Sequence, residues 1–102
     1  MLAFMENDIF TNKETKGLFK AILSLKNEKE CESFLRDVCT IKEVEEMSSR
    51  FRIAQMLSVA KPKSYAEIAK EVKTSTATVT RVAHWLHYGE GGYQLVIKRL
   101  AN

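Results

Sequence analysis

The stretch from residue 64 to residue 88 constrains the fold most, because two short helical patterns follow each other there almost without a break. Ser64 and Glu67 have the spacing of a capping box, which predicts a first helix over residues 65–72. After a short interruption, apolar spacing predicts a second helix over residues 76–88. A connection this short forces the two helices to pack at a steep angle. The pattern therefore predicts a helix-turn-helix.

The remainder of the chain also has helical periodicity, with three further helices expected before this unit, within residues 11–58, and one after it. Their expected extents are residues 12–26 with Thr11 as N-cap, a helix capped by Asn27, residues 40–58 with a capping box of Thr40 and Glu43, and residues 93–100. The last segment could instead pair as a strand, because short apolar runs are ambiguous. The sequence predicts an all-α protein with a single domain over residues 1–102.

Composition excludes several classes of protein. The 102 residues are 45% hydrophobic with four glycines and one proline, which is typical of a soluble globular chain. Apolar runs are too short for a membrane span, and the N-terminus lacks the features of a signal peptide, so a cytoplasmic location is expected. Cys31 and Cys39 are expected to be buried apolar residues, and His84 and His87 lack a third ligand for a metal. No nucleophile–base pair, paired carboxylates or glycine-rich phosphate loop indicates an enzyme.

Charge and side-chain type point to a nucleic-acid partner. The net charge is +3, and residues 61–82 hold five basic and two acidic residues, whereas residues 27–46 hold seven acidic and three basic residues. A solvated basic face is the alternative explanation for the charge count alone. The outward positions of residues 75–80 are small, mostly hydroxylated and free of acid. Such side chains allow a helix to enter a DNA major groove about 12 Å wide and to approach phosphates.

Four motifs carry a resemblance to a known family. They are Thr40 at a helix start, Arg50-Phe-Arg52-Ile in mid-helix, Ser64-Tyr-Ala-Glu-Ile in the first motif helix, and Ala77-Thr-Val-Thr-Arg81 in the second. Over residues 37–86 the sequence resembles the Trp repressor superfamily, and as a whole it is similar to the YerC/YecD-like branch. The resemblance implies a six-helix fold and an intertwined homodimer whose N-terminal helices cross between subunits. It also implies that the helix over residues 76–88 recognises double-stranded DNA.

The resemblance also assigns DNA-contacting positions. They fall on Tyr65, Lys70, Thr74, Ser75, Thr76, Ala77, Thr78 and Thr80. None of these is an Arg, Asn or Gln that could make a bidentate contact with a base. We therefore expect sparse direct readout, supplemented by water-mediated or shape readout. A dimer would present its recognition helices roughly 34 Å apart, on successive major grooves.

The corepressor pocket that the resemblance implies is altered in this chain. In Trp repressors the tryptophan lies near one threonine and between two arginines, and these positions match Thr40, Arg50 and Arg81. Two other positions depart: Val82 replaces a glycine and Trp85 replaces a serine. Both replacements add volume where tryptophan would bind, so we expect that tryptophan is not the corepressor. Either the pocket is already filled, or a different small effector is used; no other cofactor is expected.

Two further expectations concern single residues and the overall function. Lys73 stands where the family's turn has glycine, and a left-handed backbone there would be strained for lysine. Trp85 is expected to be a core residue as well as a pocket filler. We expect a dimeric, sequence-specific transcriptional regulator. The alternative is a dimeric protein-interaction module that retains the fold without binding DNA and uses the acidic surface of residues 27–46.

Overall fold

The computed structural model describes residues 9–102, which form six helices in succession along the chain. They are α1 (Lys13–Leu23), α2 (Glu28–Val38), α3 (Ile41–Leu57), α4 (Tyr65–Val72), α5 (Thr76–Tyr88) and α6 (Gly92–Ala101). Residues 9–11 are also helical, and no strand occurs in this part of the chain. The all-α prediction is confirmed, and the last segment is a helix. The expectation of no signal peptide falls on residues outside the described range.

Side-chain caps fix where several helices begin, and two of the predicted caps are confirmed. The Asn27 side-chain oxygen accepts a hydrogen bond from the N–H of Glu30 at 2.9 Å. The Ser64 hydroxyl accepts from the N–H of Glu67 at 3.2 Å, while the Glu67 carboxylate accepts from the N–H of Ser64, which completes the capping box. These bonds satisfy amide groups that have no partner within the helix. The capping box of Thr40 and Glu43 stays a prediction.

The prediction for α1 was wrong at both ends. Its N-cap is Asn12 rather than Thr11, because the Asn12 side chain accepts from the N–H of Thr15 at 2.8 Å. The helix ends at Leu23 instead of continuing through Lys26. The reason lies in the next helix, where the Glu30 carboxylate accepts the N–H of Lys26 at 3.0 Å and holds that backbone in the cap of α2.

The chain divides into two compact units, the first ending at Thr40 and the second comprising Ile41–Asn102. In the first unit neither α1 nor α2 buries a residue. Leu18, Phe19 and Ile22 of α1 are 39–47% exposed, although they share one apolar face. Cys31 is exposed and Cys39 is only partly buried, so the expectation of buried cysteines was wrong. The prediction of a single domain stays a prediction.

The second unit is built on a small core shared by α3, α4 and α5. Its buried side chains are Ile53, Ala54, Ile68, Ala69, Val79 and Val82. Tyr93 and Ile97 of α6 pack against this core. Ile53, Ile68 and Val79 have no exposed surface. Burial of these three residues, one from each helix, fixes α4 and α5 on α3, so the predicted helix-turn-helix is confirmed.

The connection between α4 and α5 contains a strained residue. Lys73 has φ 62° and ψ 51°, and it is the one non-glycine residue with positive φ among residues 9–102. The N–H of Thr74 donates to the carbonyl of Ala69 at 2.8 Å, which closes α4 in a Schellman-type turn. Ser75 then caps α5. The turn therefore keeps the left-handed conformation despite the strain expected for lysine, at a position that favours glycine.

The C-terminal helix supports the far end of α5. The side-chain amide of Gln94 donates to the carbonyl of Leu86 at 2.6 Å. The N–H of Gly89 donates to the carbonyl of Trp85 at 2.9 Å. Two of the terminal carbonyls of α5 are thereby satisfied. Among the described helices, none combines the length and apolar character needed to cross a bilayer.

Candidate nucleic-acid interface and adjoining pocket

The first two turns of α5 present a small, hydroxylated surface. Thr76, Ala77 and Thr80 are exposed, while Thr78 is partly buried. The Ser75 hydroxyl accepts the N–H of Thr78 at 3.1 Å and lies 3.0 Å from its hydroxyl. The hydroxyl of Thr80 donates to the carbonyl of Thr76 at 2.9 Å. These local bonds orient the hydroxyl groups, and the first turn presents a helix N-terminus that attracts anions.

The remaining predicted contact residues flank this surface. Tyr65, the first residue of α4, is 42% exposed, and Lys70 in the same helix is exposed. Thr74 is partly buried in the connection. The fold thus brings the eight positions together on α4, the turn and the start of α5. Their contact with DNA stays a prediction.

Both acidic residues within residues 61–82 form hydrogen bonds or ion pairs with nearby groups. The Glu67 carboxylate belongs to the capping box. The Glu71 carboxylate contacts Lys63 at 2.7 Å and Arg52 at 3.3 Å. A hydrogen bond from Lys63, together with the charges of Lys63 and Arg52, lowers the pKa of Glu71 below its ordinary value. These ion pairs link α4 to α3 and hold Glu71 ionised.

The basic side chains around the turn between α4 and α5, unlike Lys63 and Arg52, have no described ion-pair partner. No described carboxylate lies within 4 Å of the charged groups of Lys70, Lys73 or Arg81. The positive potential of this segment therefore remains available to an external anion.

A concavity of about 790 Å³ adjoins the hydroxylated surface at the start of α5. Its walls come from the second unit: Lys42, Glu45, Glu46, Met47, Ser49, Arg50, Lys73, Thr74, Thr78, Arg81, Val82, Trp85 and Tyr93. Four of the five predicted pocket residues, Arg50, Arg81, Val82 and Trp85, are therefore brought together. Thr40 is an exposed residue directly before α3, and its part in the pocket stays a prediction.

Trp85 is a wall of the pocket rather than part of the core. Its side chain is 54% exposed, so the expectation of a core tryptophan was wrong. The indole also borders an apolar depression of about 500 Å³ with Phe51 and Val96. Val82, by contrast, is 2% exposed and belongs to the core. Trp85 lies at the edge of the buried face of α5, three residues after buried Val82, and both residues line the pocket.

Sequence reasoning missed several charged residues of the pocket. Lys42, Glu46 and Arg50 are spaced four residues apart, which places them on one face of α3. That spacing could have identified Lys42 and Glu46 as neighbours of the predicted Arg50. Lys73 was expected only to strain the backbone of the turn, but the residue also lines the pocket. Among the described residues no group of three or more side chains is arranged to hold a metal ion.

Comparison with known proteins gives consistent matches. The family model described as Trp repressor protein matches residues 13–101. The uncharacterized protein YerC of Bacillus subtilis is 38% identical over 96 residues, which cover 94% of this chain and 90% of YerC. The crystal structure of a TrpR-like protein from Eubacterium eligens matches with a TM-score of 0.86 and 41% identity, covering 92% of this chain and 95% of that protein. The predicted Trp-repressor-like fold is confirmed.

Proposed function

We propose that this chain, which belongs to the Trp repressor family, is a sequence-specific DNA-binding transcriptional regulator. It would act as a cytoplasmic homodimer. The observation that carries the proposal is the surface of residues 75–80. It is largely exposed and free of acid, and it stands on two helices fixed by buried Ile68 and Val79. A duplex can therefore reach it without rearrangement of the unit.

The surface suggests how DNA would be read. Short side chains at Thr76, Ala77 and Thr80 let the backbone of α5 approach base edges in the major groove, and methyl groups can contact thymine. The amide groups of the first turn and the ammonium of Lys70 supply phosphate contacts. Because no long hydrogen-bonding side chain projects from residues 75–80, DNA shape and bound water would provide much of the specificity.

The first unit supports the dimer. The apolar face of α1, which includes Leu18, Phe19 and Ile22, remains 39–47% exposed in the single chain. Side chains of this kind usually lie in a core or an interface. Burial against the same helices of a second copy would cover this face and create an intertwined dimer. Two copies of α5 would then meet successive major grooves, roughly 34 Å apart.

The pocket supports regulation by a small effector other than tryptophan. Val82 and Trp85 occupy the positions of a glycine and a serine in Trp repressors, yet a concavity of about 790 Å³ remains beside them. This volume lies within the range of small-molecule sites, about 300–1,000 Å³. We expect no saturable binding of free tryptophan in isothermal titration calorimetry. Stoichiometric binding of tryptophan would contradict this part of the proposal.

The decisive experiment combines selection of bound genomic fragments with a charge substitution. Thr78→Asp puts a carboxylate at the third position of α5, where the helix dipole favours it, so helicity and stability should be retained. The same carboxylate would repel phosphates and base edges, and DNA binding should be lost. Gln55→Glu at an exposed position of α3 is the control, since it adds the same charge outside residues 75–80.

Two outcomes would refute the proposal. Retained DNA affinity in the Thr78→Asp variant would show that α5 is not the recognition helix. Failure of the unmodified protein to bind any genomic fragment at low salt would favour the protein-interaction module instead. A salt titration adds a third criterion, because each neutralised phosphate should contribute about −0.9 to the log–log slope of affinity against salt.

A further inference from the structure

We propose that the pocket is a binding site for a small aromatic dianion, a ligand with one flat ring and two negative charges. This inference rests on the proposed function, because it assigns a chemical class to the effector of the same protein. It differs from recognition of a zwitterionic amino acid, which carries no net charge.

The net positive charge of the pocket walls favours a ligand with two negative charges. Lys42, Arg50, Lys73 and Arg81 face two carboxylates, those of Glu45 and Glu46, which leaves an excess of two positive charges. A zwitterion would leave that excess in place, whereas a dianion would neutralise it. Arginine also binds phosphate and carboxylate groups through two parallel hydrogen bonds.

The cations are also available to a ligand. No described carboxylate lies within 4 Å of the charged groups of Arg50, Lys73 or Arg81. Lys63 and Arg52, which lie outside the pocket, are instead paired with Glu71. The chain therefore neutralises cations beside the pocket and leaves those that line it without an ion-pair partner among residues 9–102.

Lys73 supplies an independent observation. It holds a left-handed backbone conformation that glycine would adopt without strain, and the residue lines the pocket. Strained residues persist mainly where function requires the side chain. An ammonium group that contacts the bound anion accounts for lysine at this position.

The apolar part of the pocket would contact the aromatic ring of the ligand. Trp85 is 54% exposed, and Met47 and Tyr93 lie on the same walls. Aromatic side chains favour stacked or edge-on contact with a second ring. A site of about 790 Å³ has room for a ring together with its charged groups.

The position of the site links its occupant to α5. Lys73, Thr74 and Thr78 line the pocket, and the Thr78 hydroxyl lies 3.0 Å from the hydroxyl of Ser75, the N-cap of α5. A bound anion would therefore contact both the turn and the first turn of the recognition helix. Occupancy of the pocket is expected to change the affinity for DNA.

Simple probes separate charge from ring. Phenyl phosphate and phthalate are aromatic dianions whose charges come from a phosphoryl group and from two carboxylates, respectively. Benzoate lacks one charge, tryptophan is a zwitterion, and inorganic phosphate lacks the ring. Fluorescence of Trp85, the single tryptophan of the chain, reports occupancy, and calorimetry gives the stoichiometry. All titrations use the full chain at one ionic strength and slightly alkaline pH.

We expect saturable binding of at least one dianion at one molecule per chain, about tenfold or more tighter than benzoate, tryptophan or phosphate; this ratio corresponds to 1.4 kcal/mol or more. The better dianion identifies the source of charge. Lys73→Gln removes the charge without introducing glycine and should weaken dianion binding about tenfold, with benzoate affected less. Lys61→Gln is the control, since Lys61 is exposed outside the pocket.

Several results would overturn the inference: no saturation by either dianion, equal affinity for benzoate or tryptophan, or unchanged dianion affinity in Lys73→Gln. DNA binding of the ligand-free protein is measured in parallel. Loss of dianion binding with intact DNA binding refutes the inference alone. Dianion binding by a protein that binds no DNA refutes the proposed regulator and leaves the anion site standing.

Discussion

Replacing Lys73 with glycine should make the protein more stable. Lys73 has φ 62° and ψ 51°, and a left-handed conformation costs a residue with a β-carbon roughly 1–2 kcal/mol. Glycine removes that cost but loses about 0.5–1 kcal/mol more conformational entropy on folding. No ion pair of Lys73 within 4 Å of a described carboxylate would be lost. The net gain for Lys73→Gly should therefore lie between about 0 and 1.5 kcal/mol, centred near 0.75 kcal/mol.

Urea denaturation at a fixed protomer concentration measures this gain, since a dimer's apparent stability depends on concentration. Lys73→Ala is the matched control, because alanine also lacks the charge but retains the β-carbon that causes the strain. Its stability should stay close to that of the unmodified protein. Lys73→Asn should lie between alanine and glycine, because asparagine tolerates the left-handed region better than most residues.

One result would refute this reasoning. If Lys73→Ala stabilised the protein as much as Lys73→Gly, the gain would come from removing a positive charge near Arg50 and Arg81. The backbone of the turn would then contribute nothing measurable. A loss of stability in Lys73→Gly would be a stronger contradiction, because it would require a favourable contact of the lysine side chain that outweighs the strain.

Three further substitutions test other features. Lys70→Ala should weaken DNA binding modestly and reduce the salt slope by about one, as measured by fluorescence anisotropy; an unchanged slope would exclude a phosphate contact. Glu71→Gln should lower the free energy of unfolding at neutral pH. Because the pKa of Glu71 is lowered in the folded state, the difference in stability between the two proteins should vanish as pH falls from about 4.3 through that lowered pKa. A difference that stayed constant during acid denaturation would contradict the ion pairs. Gly89→Ala should cost about 1–3 kcal/mol in thermal unfolding, because its β-carbon would collide with the Trp85 carbonyl oxygen, whereas Gly92→Ala meets no atom and should not destabilise.

Local rules predicted the helix-turn-helix well because its determinants are close in sequence. The capping box of Ser64 and Glu67 and the apolar spacing around Ile68 and Val79 act within one or two turns of helix. Both helices accordingly have the predicted bounds. Within α3 the Ser48 hydroxyl donates to the carbonyl of Val44 at 2.7 Å, and the helix continues without a break.

Longer-range features could not be predicted in the same way. The end of α1 was predicted wrongly although its determinant is local, because the carboxylate of Glu30, in the next helix, accepts the N–H of Lys26. The exposure of Trp85 depends on which side of α5 packs on α3, and hydrophobicity alone favoured burial. The full set of pocket charges required the fold, because it combines residues of α3 with the α4–α5 connection and α5.

The hydrogen bond from Gln94 to the carbonyl of Leu86 joins the C-terminal helix to the end of α5, the helix that we propose reads DNA. Its donor comes from a helix that also contributes Tyr93 to the core and to the pocket wall. A shift of α6 would therefore change both the end of α5 and the wall of the pocket.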